Sequence, residues 1–182
     1  DFEEIMSRAV TFACEALGAE SCAVSLRQNE KWSVAHEHGF PQEIIGAEIS
    51  DEEDPHASLA IKTMKVVVIN DAFNDDRVNP ERMKKFNIRS VMVIPLVTKY
   101  GSTGVIFVNY HSAPVTFTGP QIDFANKLGY LVSLAVENAG LLTAEKKAKD
   151  EFQLLSDTAG SLLSARKPQE TVNDLCQKVM TH

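Results

Sequence analysis

Cysteine is scarce in this chain of 182 residues. The three are Cys14, Cys22 and Cys176, and none forms a C-x-x-C pair or another metal-ligand spacing. That spacing argues against a thiolate zinc site. Buried or half-buried free thiols in a reducing compartment are the expectation. No run reaches 18 apolar residues and no signal-peptide pattern is present, so a spanning helix is not expected and a cytoplasmic location is. Positive charge is also short: 18 Lys and Arg against 25 Asp and Glu, net charge −7. This balance argues against a nucleic-acid surface, which needs clustered cations. The densest basic group, Lys146-Lys147 with Lys149, is interleaved with Glu145, Asp150 and Glu151 and reads as a solvated helix face. The chain begins in mid-helix without a Met, as an excised piece of a larger protein would.

What is present is ordinary for a folded domain: 44% hydrophobic and 24% charged residues. The length suffices for one domain of about 140 residues plus an extension. Phe2, Ile5, Met6, Ala9, Val10, Ala13 and Leu17 recur at helical spacing, with Gly18 placed as a left-handed cap. Two strands are expected at Ser21–Gln28 and Lys31–His38, joined by Asn29-Glu30. In the second, strict alternation puts Trp32, Val34, His36 and His38 on one face. Gly39-Phe40-Pro41 breaks this strand, a short helix is expected at Gln42–Ile45, and the acidic stretch Ser50–Asp54 reads as a loop.

Asp54-Pro55 starts another helix, with Ala57, Ala60, Ile61 and Met64 as its buried side. Val66–Ile69 reads as a short buried strand and Pro80–Phe86 as a third short helix. Ser90–Val97 and Gly104–Tyr110 are the clearest strands, and Pro95 marks an edge or bulge position. Thr118 with Gln121 forms a capping-box pattern ahead of a long helix. The order describes an α/β (α+β) sandwich with a central, mostly antiparallel sheet flanked by helices.

The long helix dominates the second half. Leu131, Leu134, Leu141, Ala148, Phe152, Leu155, Ala159 and Leu162 share one heptad register, whose polar members are Asn138 and Glu145. A 3.5-residue repeat implies pairing with a second helix, and polar seam residues fix register at a cost in stability. The competing description is a domain-packing helix followed by an unrelated exposed one. Up to Leu142 the seam is expected to serve the core and a partner at once; residues 143–166 form a connector. Beyond Pro168, Val172, Leu175, Cys176, Val179 and Met180 repeat the apolar spacing of the first helix, so residues 167–182 read as the first helix of a second module.

From Arg89 onward the motifs Ser90-Val91-Met92-Val93-Ile94-Pro95-Leu96, Gly101, Gly104-Val105-Ile106-Phe107-Val108, Phe117-Thr118 and Glu137-Asn138-Ala139 resemble a GAF domain. Thr63 to Asp71 matches too, with Met64 and Val66 where that family commonly has Gly and Pro. The resemblance covers residues 1–142 and implies a GAF-like sandwich of a signalling protein. Gly101 and Gly104 would supply the hairpin and its bulge. The connector and partial second module look like the tandem GAF and PAS arrays of prokaryotic sensor histidine kinases. No ATP-binding Gly-rich box or phosphoacceptor histidine stands in this chain, so the domain itself is expected not to be an enzyme.

The resemblance places a ligand between the sheet and the helices of residues 55–88. The candidate ligand-binding set is Trp32, His36, His56, Asp71, Phe107 and Asn109. Each has a plainer alternative. Trp32 serves the core or a ligand, and His36 is a metal or haem ligand or an ordinary strand histidine. His56 lines a pocket mouth or merely starts a helix, while Asn109 bonds a ligand or ends a strand in solvent. Asp71 can bond its own loop. The Asn-Lys-Phe-Asp-Glu set of cyclic-nucleotide GAF domains is absent, and so is any cysteine between Trp32 and Asn173 for bilin attachment or thiol catalysis. A non-covalent haem, a cyclic nucleotide, a metabolite or an empty pocket all stay open. The expected partners are a second copy through Leu131, Leu134, Asn138, Leu141, Glu145, Ala148, Phe152 and Leu155, and a distal kinase or other output domain. No nucleic acid and no direct membrane contact are expected.

Overall fold

In a computed structural model, residues 2–28, 31–40, 44–99 and 101–164 are described. Helix α1 (Phe2–Leu17) buries Met6, Val10, Ala13 and Cys14 on the stripe expected from their spacing. Gly18 ends it at φ +62°, where Ala19 N–H reaches back to the Cys14 carbonyl at 2.9 Å. The chain then forms β1 (Ser21–Gln28), β2 (Lys31–His38), β3 (Glu48–Ser50), α2 (Pro55–Thr63), β4 (Val67–Ile69), α3 (Pro80–Lys85), β5 (Ser90–Thr98), β6 (Gly101–Tyr110) and α4 (Gly119–Ser164).

The sheet has six strands in the order β3-β2-β1-β6-β5-β4, and every neighbouring pair is antiparallel. One apolar cluster lies on its α1 face, with Cys22, Val24, Met92, Ile94, Ile106 and Val108 turned toward α1 and the start of α4. The second lies on the opposite face, where Val34, Ile69, Val91, Val93 and Phe107 meet Ala57, Ala60 and Met83 of α2 and α3. These two faces follow from period-2 alternation in β1, β5 and β6.

Several sequence expectations require correction. Ser50 is not loop but closes β3, a strand too short to show alternation, whose Ile49 is buried opposite Trp32. Met64 is not buried. It caps α2 at φ 53°, and 64% of it is exposed, which explains why glycine suits this position. In β2, Ala35 is an extra residue in the pairing: Val24 lies opposite His36, but Ser25 lies opposite Val34. This bulge reverses the alternation. Trp32 and Val34 stay on the α2 face, while His36 moves to the α1 face with its Nε2 2.9 Å from the Glu3 carboxylate. Gly104 does not supply a special backbone angle; a Cβ there would stand 2.4 Å from the Ser25 carbonyl oxygen, so β6 approaches β1 too closely for a side chain. Pro95 lies past the last β4 pair, Val67 with Val93, where its missing N–H leaves no β4 bond unmade.

Two compact units divide at Asn138 and Ala139. In the first, α4 opens on the reciprocal capping box: Thr118 N–H donates to Gln121 Oε1 at 2.9 Å, and Gln121 N–H to Thr118 Oγ1 at 3.4 Å. Ala125, Leu128 and Val132 face the core, and Gly129 lets the helix sit directly on β5. Ser133 accepts from the Val97 N–H at 2.8 Å, covering the sheet edge that β4 leaves open. Leu131, Leu134 and Asn138 are exposed, so the seam and the core use different faces of the helix and do not share residues as expected. In the second unit, Leu141, Glu145, Ala148, Phe152 and Leu155 are exposed. The proposed repeat at 167–182, Cys176 and the Asn29-Glu30 turn lie outside the described residues, as do residues 42–43 of the short helix expected before β3. Among the described residues, no helix is long and apolar enough to cross a membrane.

Candidate functional site

The site begins as a gap between small side chains. On the α2 face, β1 and β6 pair Ser21 with Asn109, Ala23 with Phe107 and Ser25 with Val105. Ala23 and Ser25 are too short to fill the space between this floor and α3. A cavity of about 350 Å³ results, walled by Met83 and Phe86 near α3 and by Phe40, Ile44 and Ile49 around β2 and β3. This volume lies within the range of small-molecule pockets, about 300–1,000 Å³.

Three buried polar atoms of the lining have no hydrogen-bond partner: Ser25 Oγ, His56 Nδ1 and Asn109 Oδ1. His56 is held by the first turn of α2, where Pro55 presets the backbone angle, and its ring lies 5.5 Å from Phe107. Asn109 is buried, and its Nδ2 donates to Ser21 Oγ at 3.4 Å. Beyond it, Ser21 Oγ lies 2.7 Å from His111 Nε2, and His111 Nδ1 faces the Phe86 and Asn87 carbonyl oxygens at 3.1 and 3.2 Å.

Asp54 and Arg82 form the cavity's buried ion pair, 2.9 Å from Oδ1 to Nε, with the carboxylate side chain 5% exposed. Asp54 stands at the N-cap of α2 but makes no side-chain cap bond, so its carboxylate is committed to Arg82. Arg82 is placed by α3, whose own N-cap Asn79 accepts from the backbone N–H groups of Glu81 and Arg82. Burial pushes the Asp54 carboxyl up to about 6, against the opposing pull of Arg82. Burial, reinforced by the same guanidinium, lowers His56 to about 4, so its imidazole is neutral at pH 7. The buried thiols of Cys14 and Cys22 are raised by desolvation, which makes them poor nucleophiles.

Of the six sequence candidates, the structure brings His56, Phe107 and Asn109 together at the cavity. Trp32 is buried on β2 opposite Ile49, with its indole N–H donating to Asp51 Oδ1 at 2.8 Å, and does not line the cavity. His36 is on the other face of the sheet, turned there by the bulge at Ala35. Asp71 organises its loop, accepting from Asn74 Nδ2 at 2.7 Å and from Phe73 N–H. Sequence reasoning missed Ser25, Asp54 and Arg82. Ser25 carried one legible signal, a polar residue beside Ala23 on an alternating strand. The Asp54–Arg82 pair carried none, because its partners are far apart in sequence. Among the described residues, no three His, Cys, Asp or Glu side chains are grouped to hold a metal ion.

Comparison with known proteins supplies the family. A GAF domain/HD domain protein from Geobacter sulfurreducens is 16% identical and superposes with a TM-score of 0.68, covering 78% of this chain and 95% of that one. The GAF domain of PixJ from Thermosynechococcus elongatus, in its blue-light-absorbing form, is 18% identical with a TM-score of 0.68, covering 81% and 92%. The GAF-B domain of DevS from Mycobacterium smegmatis is 16% identical with a TM-score of 0.67, covering 80% and 99%. At such identities these structures establish a shared fold. No curated protein matches the sequence. A family model described as the GAF domain matches residues 1–138, and the chain therefore belongs to the GAF domain family of sensory and regulatory signalling modules.

Proposed function

We propose that this GAF domain is a small-molecule sensor that binds its ligand in the cavity between the sheet and α3 and passes occupancy to α4. The observation that carries the reading is the convergence of Ser25 Oγ, His56 Nδ1 and Asn109 Oδ1, all without partners, on one cavity. A buried polar atom left unbonded costs about 1–3 kcal/mol, which a ligand that bonds it recovers. Support for the relay comes from the polar contacts that hold the segment before α4. Glu20 accepts from the backbone N–H groups of His111 and Ser112; Ser90 Oγ accepts from Val115 N–H at 2.7 Å; Asn70 Oδ1 accepts from Phe117 N–H at 3.2 Å. The domain acts by binding, in the cytoplasm, without contacting nucleic acid or membrane. Kinase or other output activity resides in further domains of the parent protein. A thermal-shift screen with haem, cyclic nucleotides and small metabolites tests this: a compound that raises the melting temperature supports it, and no shift with any compound overturns it.

A second reading, a ligand-free dimerisation and spacer module, is favoured by the exposed apolar residues of α4, Phe152 at 73% and Leu155 at 67% among them. Soluble helices rarely leave such side chains unpaired. The two readings are compatible if the paired helix is the sensor's output. A haem-based redox or gas sensor rests only on the neutral, buried His56, and a Soret band on haem titration would reveal it.

A further inference from the structure

The polarity of the hydrogen-bond chain behind the cavity can be read from one end. His111 Nδ1 faces two carbonyl oxygens, which only accept, so this nitrogen carries the ring proton. In the neutral ring Nε2 is then the acceptor, and the Ser21 hydroxyl donates to it at 2.7 Å. Ser21 Oγ in turn accepts from Asn109 Nδ2 at 3.4 Å. The amide is thereby oriented with its unpartnered Oδ1 as a fixed acceptor at one end of the cavity. At the other end lies the Ser25 hydroxyl, across from Val105 on β6. The four-residue separation of Val105 and Asn109 corresponds to about 13 Å along a strand. A single small ring cannot reach both ends.

The charges deep in this space are already matched. Arg82 is committed to Asp54 within the cavity, and Glu48 at the rim is held by Lys31 at 2.7 Å. Lys85 also lines the cavity but stands at its exposed rim, its Nζ 5.4 Å from the centroid of the Phe86 ring. An anion seated deep in the cavity would have to displace the Asp54 carboxylate or lie beside it unpaired, and burying an unpaired charge is costly.

We infer that the cavity takes an uncharged ligand longer than one small ring, which presents an N–H or O–H donor to Asn109 at one end and a hydrogen-bonding group to Ser25 at the other, and that its deep part discriminates against anions. This rests on the ligand-binding reading above and specifies its chemical class. Titration calorimetry on the full chain with adenosine and lumichrome, each set against its phosphate-bearing counterpart, AMP and FMN, tests it. At least one neutral member should bind at least tenfold more tightly than its counterpart. Ser25→Ala, which removes a hydroxyl that no protein group uses, should weaken that binding about five- to tenfold, the worth of one hydrogen bond, without lowering the melting temperature. Equal or tighter binding of AMP and FMN overturns the class but leaves the cavity as a ligand site. Unchanged affinity in Ser25→Ala overturns the Ser25 contact. If all four compounds fail while haem or a cyclic nucleotide shifts the melting temperature, only the class falls; if every compound fails, both readings fall.

Discussion

Replacing Arg82 by Met removes the cation but keeps much of the aliphatic stem, and leaves Asp54 buried without its counter-charge. Breaking one side of a buried pair costs about 3–5 kcal/mol. The loss should depend on pH, with a definite sign. The Asp54 carboxyl is already raised to about 6 by burial, although Arg82 pulls it down. A carboxyl raised above its unfolded value contributes stability that is present below the unfolded pKa and lost as pH rises through the folded one. Removing Arg82 raises Asp54 further, so the variant keeps the proton over a wider range. At pH 7.5 the wild type holds an ionised, paired Asp54, whereas the variant must keep the proton or bury an unpaired charge. Linkage over the roughly 1.5 pH units above the wild-type value adds about 2 kcal/mol, so a loss of about 3 kcal/mol is expected, the lower end of that range. At pH 5 the carboxyl is mostly protonated in both, and the difference should fall to about 1 kcal/mol, that of an ordinary hydrogen bond. Urea unfolding at the two pH values measures this directly, and adding Asp54→Asn to the variant should restore stability at pH 7.5. A destabilisation that is equal at both pH values, or larger at pH 5, would refute the reasoning.

Three further outcomes follow from single contacts. His56 is lowered to about 4, so its neutral form favours the fold above the unfolded pKa of 6.5, and this is lost as pH falls through 4; relative to wild type, His56→Leu should gain on the order of 3 kcal/mol between pH 6.5 and 4 in urea titrations. A parallel pH dependence in the two proteins would count against a neutral buried His56. Gly129→Ala places a Cβ 2.8 Å from Ile94 Cγ2 and 3.0 Å from the Pro95 carbonyl oxygen. Overpacking of about 1–3 kcal/mol should outweigh a helix-propensity gain of about 1 kcal/mol, and a raised melting temperature would show that α4 does not sit so close to β5. Asn138→Leu with Glu145→Leu makes the exposed heptad face of α4 wholly apolar and should tighten self-association in sedimentation equilibrium. An unchanged association constant would mean that this face is not a pairing seam.

Local signals made much of the fold legible. Gly18, Pro55, Pro80 and the Thr118/Gln121 pair mark helix ends because caps are settled by a few neighbouring residues. Alternation in β1, β5 and β6 sorted two cores onto two faces of one sheet. The misses arose where pairing, not sequence, decides. β3 has three residues and exists because β2 offers an edge that buries Ile49. His36 changed faces because one extra residue in β2, Ala35, resets every later side chain.

The site was legible in the same proportion. His56, Phe107 and Asn109 could be named because each sits at a fixed phase of its own helix or strand. Whether Asn109 faces solvent or a cavity, whether Trp32 serves a ligand or Asp51, and which faces of α4 are covered are questions of what lies opposite. The amino-acid order by itself determined most of the elements and several of their ends, the heptad register of α4 and the GAF resemblance, since these depend on spacing within a few turns or strands. Only the tertiary structure decided that Asp54 meets Arg82, that Ala23 and Ser25 leave a space, and that the Asn109 amide is oriented through Ser21 by His111. Those contacts join residues up to ninety positions apart, and no local preference of the chain encodes which of them will meet.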